Sequence, residues 1–475
     1  MPIDIPVVGA RSAVWIAGQL HLFFAAFVLG APIFIVICEW WGHRSGDPRY
    51  ERLAVETMKV VTIAYSMTAI TGAAFGFVLM GPYNNVMAHL FETMGGVFGL
   101  YVLLFFVETL LMYLYWYTWE PLAHRKGTHI AIGVALNLAG TLVMLLMNAI
   151  GAYMLTPPEA GEAATLWELI NTATWSGLNL HRFIANITLG GFMVALFAAL
   201  MFLTAKKQED RVFYDWMGFI GNFIGVATLM TLPLAGYIYA KEIFLYDATI
   251  ATFMMADKLS WFFVMQGLLV SLLFLGANYY IWMSIRRITG AEVYLSFMRP
   301  TFAVIWIGTV IWMTPQNFLP DLVTAAPENI AREDIIIPER AAFIGLMMAK
   351  ALAVTAIIMF TFLTYMIYRR AIALGTMRWG EIAPQAQYAL VFIPAVAVYT
   401  MGLMGAIREL ARQDWHVYTV LQDTTPYWYT TPLGHTSIMV GIVTLMFFAL
   451  MAFIFWIGFK LGKTDEGEEA HVGSS

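Results

Sequence analysis

Long apolar segments separated by short polar stretches recur along the whole chain. Runs long enough to cross a hydrocarbon core of ~30 Å lie near 14–38, 57–80, 95–119, 129–155, 182–204, 213–238, 259–284, 300–316, 341–368, 388–407 and 436–460. This pattern predicts an all-α fold: a polytopic membrane helix bundle of about eleven transmembrane helices. The run 300–316 matters most for topology, because every later helix would reverse its direction without it.

The composition supports a membrane protein. Of the 475 residues, 60% are hydrophobic and only 12% are charged, with a mean hydropathy of +0.72. A soluble domain of this size would carry more polar surface. We therefore expect no nucleic-acid partner.

The distribution of Lys and Arg predicts the orientation, since these residues accumulate on the cytoplasmic side. With eleven spans, one set of helix ends carries 17 Lys and Arg and the other carries 8, while Lys350 lies inside a helix. We expect a multi-pass protein of a bacterial or archaeal inner (plasma) membrane. Its N-terminus is then outside and its C-terminus cytoplasmic.

We divide the chain into four parts. Residues 1–240 form an N-terminal bundle of six helices, 241–335 a short segment plus two helices, 336–462 the C-terminal helices, and 463–475 an acidic tail expected to be disordered. The first residues lack a signal-peptide pattern. Cys38 is the only cysteine, which excludes a disulfide framework, a cysteine-ligated iron–sulfur cluster and covalent attachment of a c-type haem.

Four candidate haem-iron ligands fall near the outer face under this topology: His21, His181, Met347 and Glu409. A His and a Met on facing helices can ligate a low-spin haem from both sides, whereas a single His or Glu leaves one position open. Against this, a His at a helix end is more often a hydrogen-bonded interfacial residue, and Met348 is as available as Met347.

Several segments resemble subunit I of the cytochrome bd-type quinol oxidases, over roughly residues 10–240 and 335–460. They are GQLHLFFAAFVLGAPIFIVICEWWG with His21, KVVTIAYSMTAITG, FFVETLLMYLYWYTWEPL with Glu108, THIAIGVALNLAGTLVMLLMNAIGAYMLTPP, LNLHRFIANITLGGFMVALF with His181, AAFIGLMMAKALAV with Met347, and RELARQDW with Glu409. The last is similar to the family's E-x-G-R-Q-P-W signature.

This resemblance implies a set of roles. His181 and Met347 would ligate a low-spin haem b, and His21 and Glu409 would serve one or two further haems of type b or d. Glu108 matches an acidic residue on the family's proton route. Lys258, in ADKLSW, matches a quinol-site lysine. Arg408 and Arg412, beside Glu409, could pair with haem propionates, because guanidinium groups fit carboxylates.

The chain also departs from the family pattern. A second glutamate, two turns before Glu108, is replaced at Leu100 or Tyr101, and the signature's Gly and Pro have become Ala411 and Asp414. The large quinol loop after the sixth helix is missing. Because a proton donor worth about 10²–10⁴-fold in rate is lost, we expect slow oxygen reduction.

Three functions remain open. The first is a haem-containing subunit that passes electrons from quinol to haems near the outer face, and possibly to oxygen, as an oxidoreductase with a second membrane subunit as its partner. The second is a quinol–cytochrome c oxidoreductase subunit that has lost oxygen chemistry and uses a periplasmic cytochrome c. The third is a haem-free membrane partner subunit.

Overall fold

The structure is a computed structural model that describes residues 9–158, 165–255, 258–315, 336–424 and 434–472, with side chains at 336–346 and 459–472 excepted. Within these ranges eleven helical segments are long and apolar enough to cross a membrane, which confirms the predicted all-α bundle. They are α1 (Ala10–Ser45), α2 (Pro48–Met80), α3 (Asn84–Tyr117), α4 (Lys126–Leu155), α6 (Trp175–Thr204), the pair α7 (Gln208–Leu229) and α8 (Leu232–Tyr246), α10 (Ser260–Ile285), α11 (Met298–Met313), α12 (Ile336–Leu374), α13 (Pro384–Ala411) and α14 (His435–Val472).

Shorter elements lie between the spans. Helices α5 (Leu166–Ile170) and α9 (Ala248–Met255) and the 3₁₀ turns Ala123–Arg125 and Glu292–Phe297 connect longer helices. Strand β1 (Ile288–Thr289) pairs antiparallel with β2 (Thr376–Met377), and β3 (Trp415–Val417) pairs antiparallel with β4 (Leu421–Gln422). The sheets are therefore confined to the loops.

Three helix boundaries differ from the sequence prediction. Helix α3 starts at Asn84 and bends at Met94, so it begins before the apolar run does. The sixth span breaks after Leu229, because Pro233 in the first turn of α8 lacks the N–H that a continuous helix needs. Helix α14 continues to Val472, whereas a disordered tail was expected from residue 463; Lys and Glu are good helix formers.

Contacts between loops and helix ends show which elements lie at each end of the bundle. At one end Tyr418 donates its backbone N–H to Met154 at 3.0 Å and its hydroxyl to Asp247 at 2.7 Å. At the other end Arg52 reaches Asp210 at 3.1 Å, and β1 meets β2. Each of these contacts joins loops or helix ends that the eleven-span order places on the same side. We call the first end the Glu409 face and the second the Glu39 face.

Small residues let the central helices approach closely. A methyl group placed on Gly30 of α1 would overlap the carbonyl oxygen of Asn186 in α6. On Gly190 of α6 it would lie 2.9 Å from the backbone nitrogen of Ala31. Between helices in a membrane, close backbone packing of this kind replaces the hydrophobic driving force. Helices α1 and α6 thus pack backbone against backbone at the centre of the N-terminal helices.

The second half of the bundle is joined at the Glu39 face by a buried ion pair. Asp215 of α7 pairs with Arg287, which follows α10, and also accepts the backbone N–H of Gly380 at 2.7 Å. Burial alone would lower the pKa of Arg287, but the Asp215 carboxylate outweighs it and raises that pKa above its ordinary value. Arg287 also lies 4.6 Å from the ring centre of Trp379. The pair therefore ties α7 and α10 to the segment before α13.

The close approach of α1 and α6 predicts a stability effect. Gly30→Ala should lower the thermal unfolding midpoint in detergent, because overpacking a tight contact costs about 1–3 kcal/mol. Gly441→Ala in α14, where no atom lies within 4 Å of an added methyl group, is the matched control and should leave the midpoint unchanged or raise it slightly. Equal midpoints for the two variants would contradict the packing described.

Candidate functional site

His21 lies on α1 in the half of the bundle nearer the Glu409 face. Its ring nitrogen Nδ1 is 3.1 Å from the carbonyl oxygen of Thr68 in α2, so Nδ1 carries the proton in the neutral ring. A metal-ligating histidine commonly donates one ring N–H to a carbonyl in this way, which orients the other nitrogen. Gly72 gives the ring its space, because a methyl group there would lie 2.9 Å from it.

An apolar cavity of about 320 Å³ lies beside His21. It is lined by Ala13, Ile16, Ala17, Leu20, Thr71, Ala74 and Met446. Small alanine side chains on α1 and α2 leave this space between the helices. Leu20 and Thr71 of this lining are neighbours of His21, so apolar space lies close to the oriented imidazole.

His181 lies in the second turn of α6 and faces α8. Its ring is 6.4 Å from that of Tyr239, and a methyl group on Gly236 would approach it at 3.6 Å. Its Nδ1 is buried and has no hydrogen-bond partner among the described residues. Because a buried unpaired nitrogen costs free energy, this ring is suited to hold a metal or a hydrogen-bonding ligand.

Two half-buried arginines lie in the region of His181: Arg182 follows it in the chain, and Arg408 lies near Arg182. Arg182 and Arg408 are close enough for their charges to repel, and Tyr239 lies near both. Arg408 packs at Gly151 of α4, where an added methyl group would lie 2.9 Å from Nη1. Two adjacent guanidinium groups at the membrane surface provide a site for an anionic group such as a carboxylate.

Glu409, at the end of α13, is held by arginines. It forms an ion pair with Arg412 and lies 3.7 Å from Arg11 of α1. Arg11 also lies 3.5 Å from Asp423. Burial lowers the pKa of Arg412, and Glu409 partly offsets this effect. In the described structure, then, Arg412 contacts Glu409 itself, and sequence reasoning missed Arg11 and Asp423.

The sequence position of Arg11 could have identified it as a site residue. An arginine in the first turn of an apolar helix is costly unless it is paired. Asp423 gives no such signal, since it lies in a polar loop. Both side chains are almost fully buried, at 4% and 1% exposure. The fold of the loop that follows α13 brings Asp423 to Arg11.

Met347 lies in α12, whose main packing partners are α10 and α11, whereas α6 packs mainly on α7, α1 and α13. Direct helix packing therefore does not bring Met347 to His181. Met347 is half-buried, and the neighbouring Met348 is 49% exposed. Lys350, one turn further on, places its ammonium 5.4 Å from the ring centre of Phe263 in α10, which is within cation–π range.

Glu108 is buried in the second half of α3, at 4% exposure. A methyl group on Gly140 of α4 would lie 2.7 Å from its Oε1. Of the two positions that could replace the family's second glutamate, Leu100 is exposed, at 46%. Tyr101 is partly buried and lies two helical turns before Glu108, on the same side of α3. A phenol therefore lies on the side of α3 where the resemblance expects a carboxylate.

Lys258, the expected quinol-site lysine, is exposed at the Glu409 face. Its ammonium lies 6.0 Å from the ring centre of Phe253 in α9. The two residues before it, 256 and 257, lie outside the described residues. Among the described residues, no group of three or more His, Cys, Asp and Glu side chains could hold a bare metal ion.

The sequence was compared with known families and proteins. The profile of the family described as cytochrome bd terminal oxidase subunit I matches residues 10–260, more than half of the chain. The putative cytochrome bd menaquinol oxidase subunit I of Bacillus subtilis (strain 168) is 24% identical over 235 residues, which are 48% of this chain and 50% of that protein. The chain thus spans about half the length of this curated relative.

The fold was compared with solved structures. A chain of the bd oxidase from Geobacillus thermodenitrificans matches with a TM-score of 0.56 at 13% sequence identity. The match covers 96% of this chain and 98% of that one. At this identity the likeness concerns the fold alone, and it extends beyond the residues that the family profile matches. The chain belongs to the cytochrome bd terminal oxidase subunit I family.

Proposed function

We propose that this chain is the haem-bearing subunit of a bd-like oxidoreductase that takes electrons from quinol and passes them to haems near the Glu409 face. One observation supports it most: two half-buried histidines, His21 and His181, lie on the closely packed helices α1 and α6, each with a ring nitrogen available to a metal. Family membership makes haem the natural ligand for them.

The ligand roles that we propose are those implied by the resemblance to the family. His181, with Met347 as the second ligand, would hold a low-spin haem b, and His21 would hold a further haem of type b or d beside its apolar cavity. Bound haem supplies one-electron redox chemistry. Arg182 and Arg408 would neutralise propionates. Glu409 would have to leave Arg412 or share it in order to act as an iron ligand.

The electron donor we propose is a quinol, in keeping with the printed name of the Bacillus subtilis relative, which is a menaquinol oxidase subunit. Lys258, which is exposed at the Glu409 face, would hold a quinol oxygen. Quinol oxidation releases protons where it occurs. The excess of Lys and Arg at the Glu39 face supports a cytoplasmic position for that face, so these protons would leave on the outer side of a bacterial plasma membrane.

A second membrane subunit is the partner we propose. Helix α3 exposes several large apolar side chains, among them Leu103, Phe106, Leu110 and Tyr117. Such a surface can face lipid or another helix bundle, and bd oxidases are assemblies of more than one subunit. The periplasmic cytochrome c allowed for by the sequence gains no support from the relatives, and we do not propose it.

Protons for reduced oxygen would pass through Glu108, a carboxyl in an apolar setting. Tyr101 stands where the family pattern has a further glutamate, and a phenol gives up a proton far less readily than a carboxyl near neutral pH. We therefore propose that oxygen reduction is slower than in a full bd oxidase. A haem-free membrane role remains the alternative, and the visible spectrum separates it from this proposal.

Replacing Met347 with Leu tests the low-spin ligand. The exchange keeps the side-chain volume but removes the thioether, so the low-spin absorption band should weaken and the midpoint potential should fall. Met348→Leu is the matched control, because Met348 is the more exposed neighbour. An unchanged spectrum in Met347→Leu shows that the ligand lies elsewhere, and a change in Met348→Leu alone identifies Met348.

Replacing Glu108 with Gln tests the proton route. Quinol-driven oxygen uptake should fall by roughly 10²-fold, because a positioned proton donor is lost, while haem content measured from the spectrum should stay the same. Glu92→Gln, an exposed carboxylate on the same helix, should have no effect on either quantity. Full oxygen uptake in Glu108→Gln would exclude Glu108 as a relay.

A further inference from the structure

A second buried polar cluster lies at the opposite end of the bundle from the haem ligands. Glu39 of α1 accepts a hydrogen bond from the hydroxyl of Tyr115 in α3 at 2.6 Å, and its other oxygen lies 2.6 Å from Nδ1 of His129 in α4. Nε2 of His129 is 2.9 Å from the carbonyl oxygen of Tyr115. All three side chains are almost completely buried. We call these residues the Glu39 cluster.

The Glu39 cluster is connected to the surface. The ammonium of Lys126 lies 3.5 Å from Oε1 of Glu39 and forms an ion pair with Glu51. The side chain of Glu51 is 45% exposed. A continuous series of ionisable groups therefore runs from solvent at the Glu39 face to a carboxylate inside the bundle.

A buried cluster of this kind is weak evidence for a role in stability. Replacing a buried ion pair by apolar side chains of similar volume is often neutral or stabilising. Here an imidazole lies directly against a carboxylate at hydrogen-bond distance. Such a pair can hold a proton on either partner with little movement of its heavy atoms, which is what a proton-loading site requires.

The same face of α4 leads from the cluster to Glu108. His129, Gly133, Asn137 and Gly140 succeed one another at spacings of three and four residues, which place them on one side of the helix. A methyl group on Gly133 would lie 2.8 Å from the Tyr115 ring, and one on Gly140 would lie 2.7 Å from Oε1 of Glu108. This side of α4 therefore faces both the Glu39 cluster and Glu108.

Asn137 lies on this side of α4 between the Glu39 cluster and Glu108. Its amide nitrogen donates to the carbonyl oxygen of Pro32 in α1 at 3.2 Å and to that of Gly133 at 2.9 Å. On α3, Tyr115 and Glu108 are seven residues apart, which is about 10 Å along a helix. An amide half-way along an apolar gap can hold water molecules in place for proton transfer.

We propose that the Glu39 cluster is the proton-uptake site that supplies Glu108, and this inference rests on the role proposed for Glu108. A proton from water at the Glu39 face passes Glu51 and Lys126 and binds to the Glu39–His129 pair. When Glu108 has given up its proton, the pair passes one on along the Asn137 side of α4. No bond other than those to the moving proton changes, and the cluster returns to its starting charge.

Infrared spectroscopy of the purified full chain tests this without electron transfer. The carboxyl band of Glu108 is identified by its loss in Glu108→Gln, and its exchange is followed after transfer into D₂O. Glu39→Gln and Asn137→Leu should slow this exchange by roughly 10²-fold, the scale of a lost proton-transfer group. The matched control Glu381→Gln removes an exposed carboxylate of an ion pair with Arg378 and should exchange as the wild type does.

The outcomes separate this inference from the proposed function. Exchange at the wild-type rate in Asn137→Leu and in Glu39→Gln would overturn the inference, as would a wild-type spectrum without a protonated Glu108. If Glu39→Gln does not assemble, Lys126→Gln, nearer the surface, gives the same test. Slowed exchange together with full turnover of Glu108→Gln would support the route and reject only the catalytic role of Glu108.

Discussion

The close contact between α1 and α6 is the constraint on which the candidate haem site depends. Gly30 and Gly190 let the two backbones meet, and each helix carries one of the histidines on the side of this contact nearer the Glu409 face. A larger side chain at either glycine would separate the helices and change the distance between His21 and His181. In a bilayer no hydrophobic force between the helices would compensate for that loss.

The excess of positive charge at the Glu409 face is a second constraint on the candidate site. Arg11, Arg182, Arg408 and Arg412 bring four positive charges close together, whereas Glu409 and Asp423 supply two carboxylates. Partly buried charges of one sign are costly, so an anionic ligand would stabilise this end of the bundle. The propionates of the proposed haems would meet that need. His21 and His181 lie at this same end of the bundle.

Much of the fold could be predicted from the sequence, since an apolar run of sufficient length has few alternatives to a spanning helix. The eleven spans were predicted, but the break before Pro233 and the bend at Met94 were not, because both lie inside or beside apolar runs. At the site, the burial of Glu108 and the partial burial of His21 followed from their depth in apolar segments. The contacts of Glu409 with Arg11, and of Glu39 with His129, depend on tertiary packing between distant segments. From the sequence alone, His129 in particular is interpreted as a residue at a helix end.

Haem content per chain tests the account most directly. The purified protein, assembled with its partner subunit, is extracted in alkaline pyridine, and the haem is quantified from the reduced spectrum against protein concentration. The account predicts at least two haems per copy of this chain, one at His181 and one at His21. A protein with no haem, or with a single haem that survives replacement of either histidine, would contradict it.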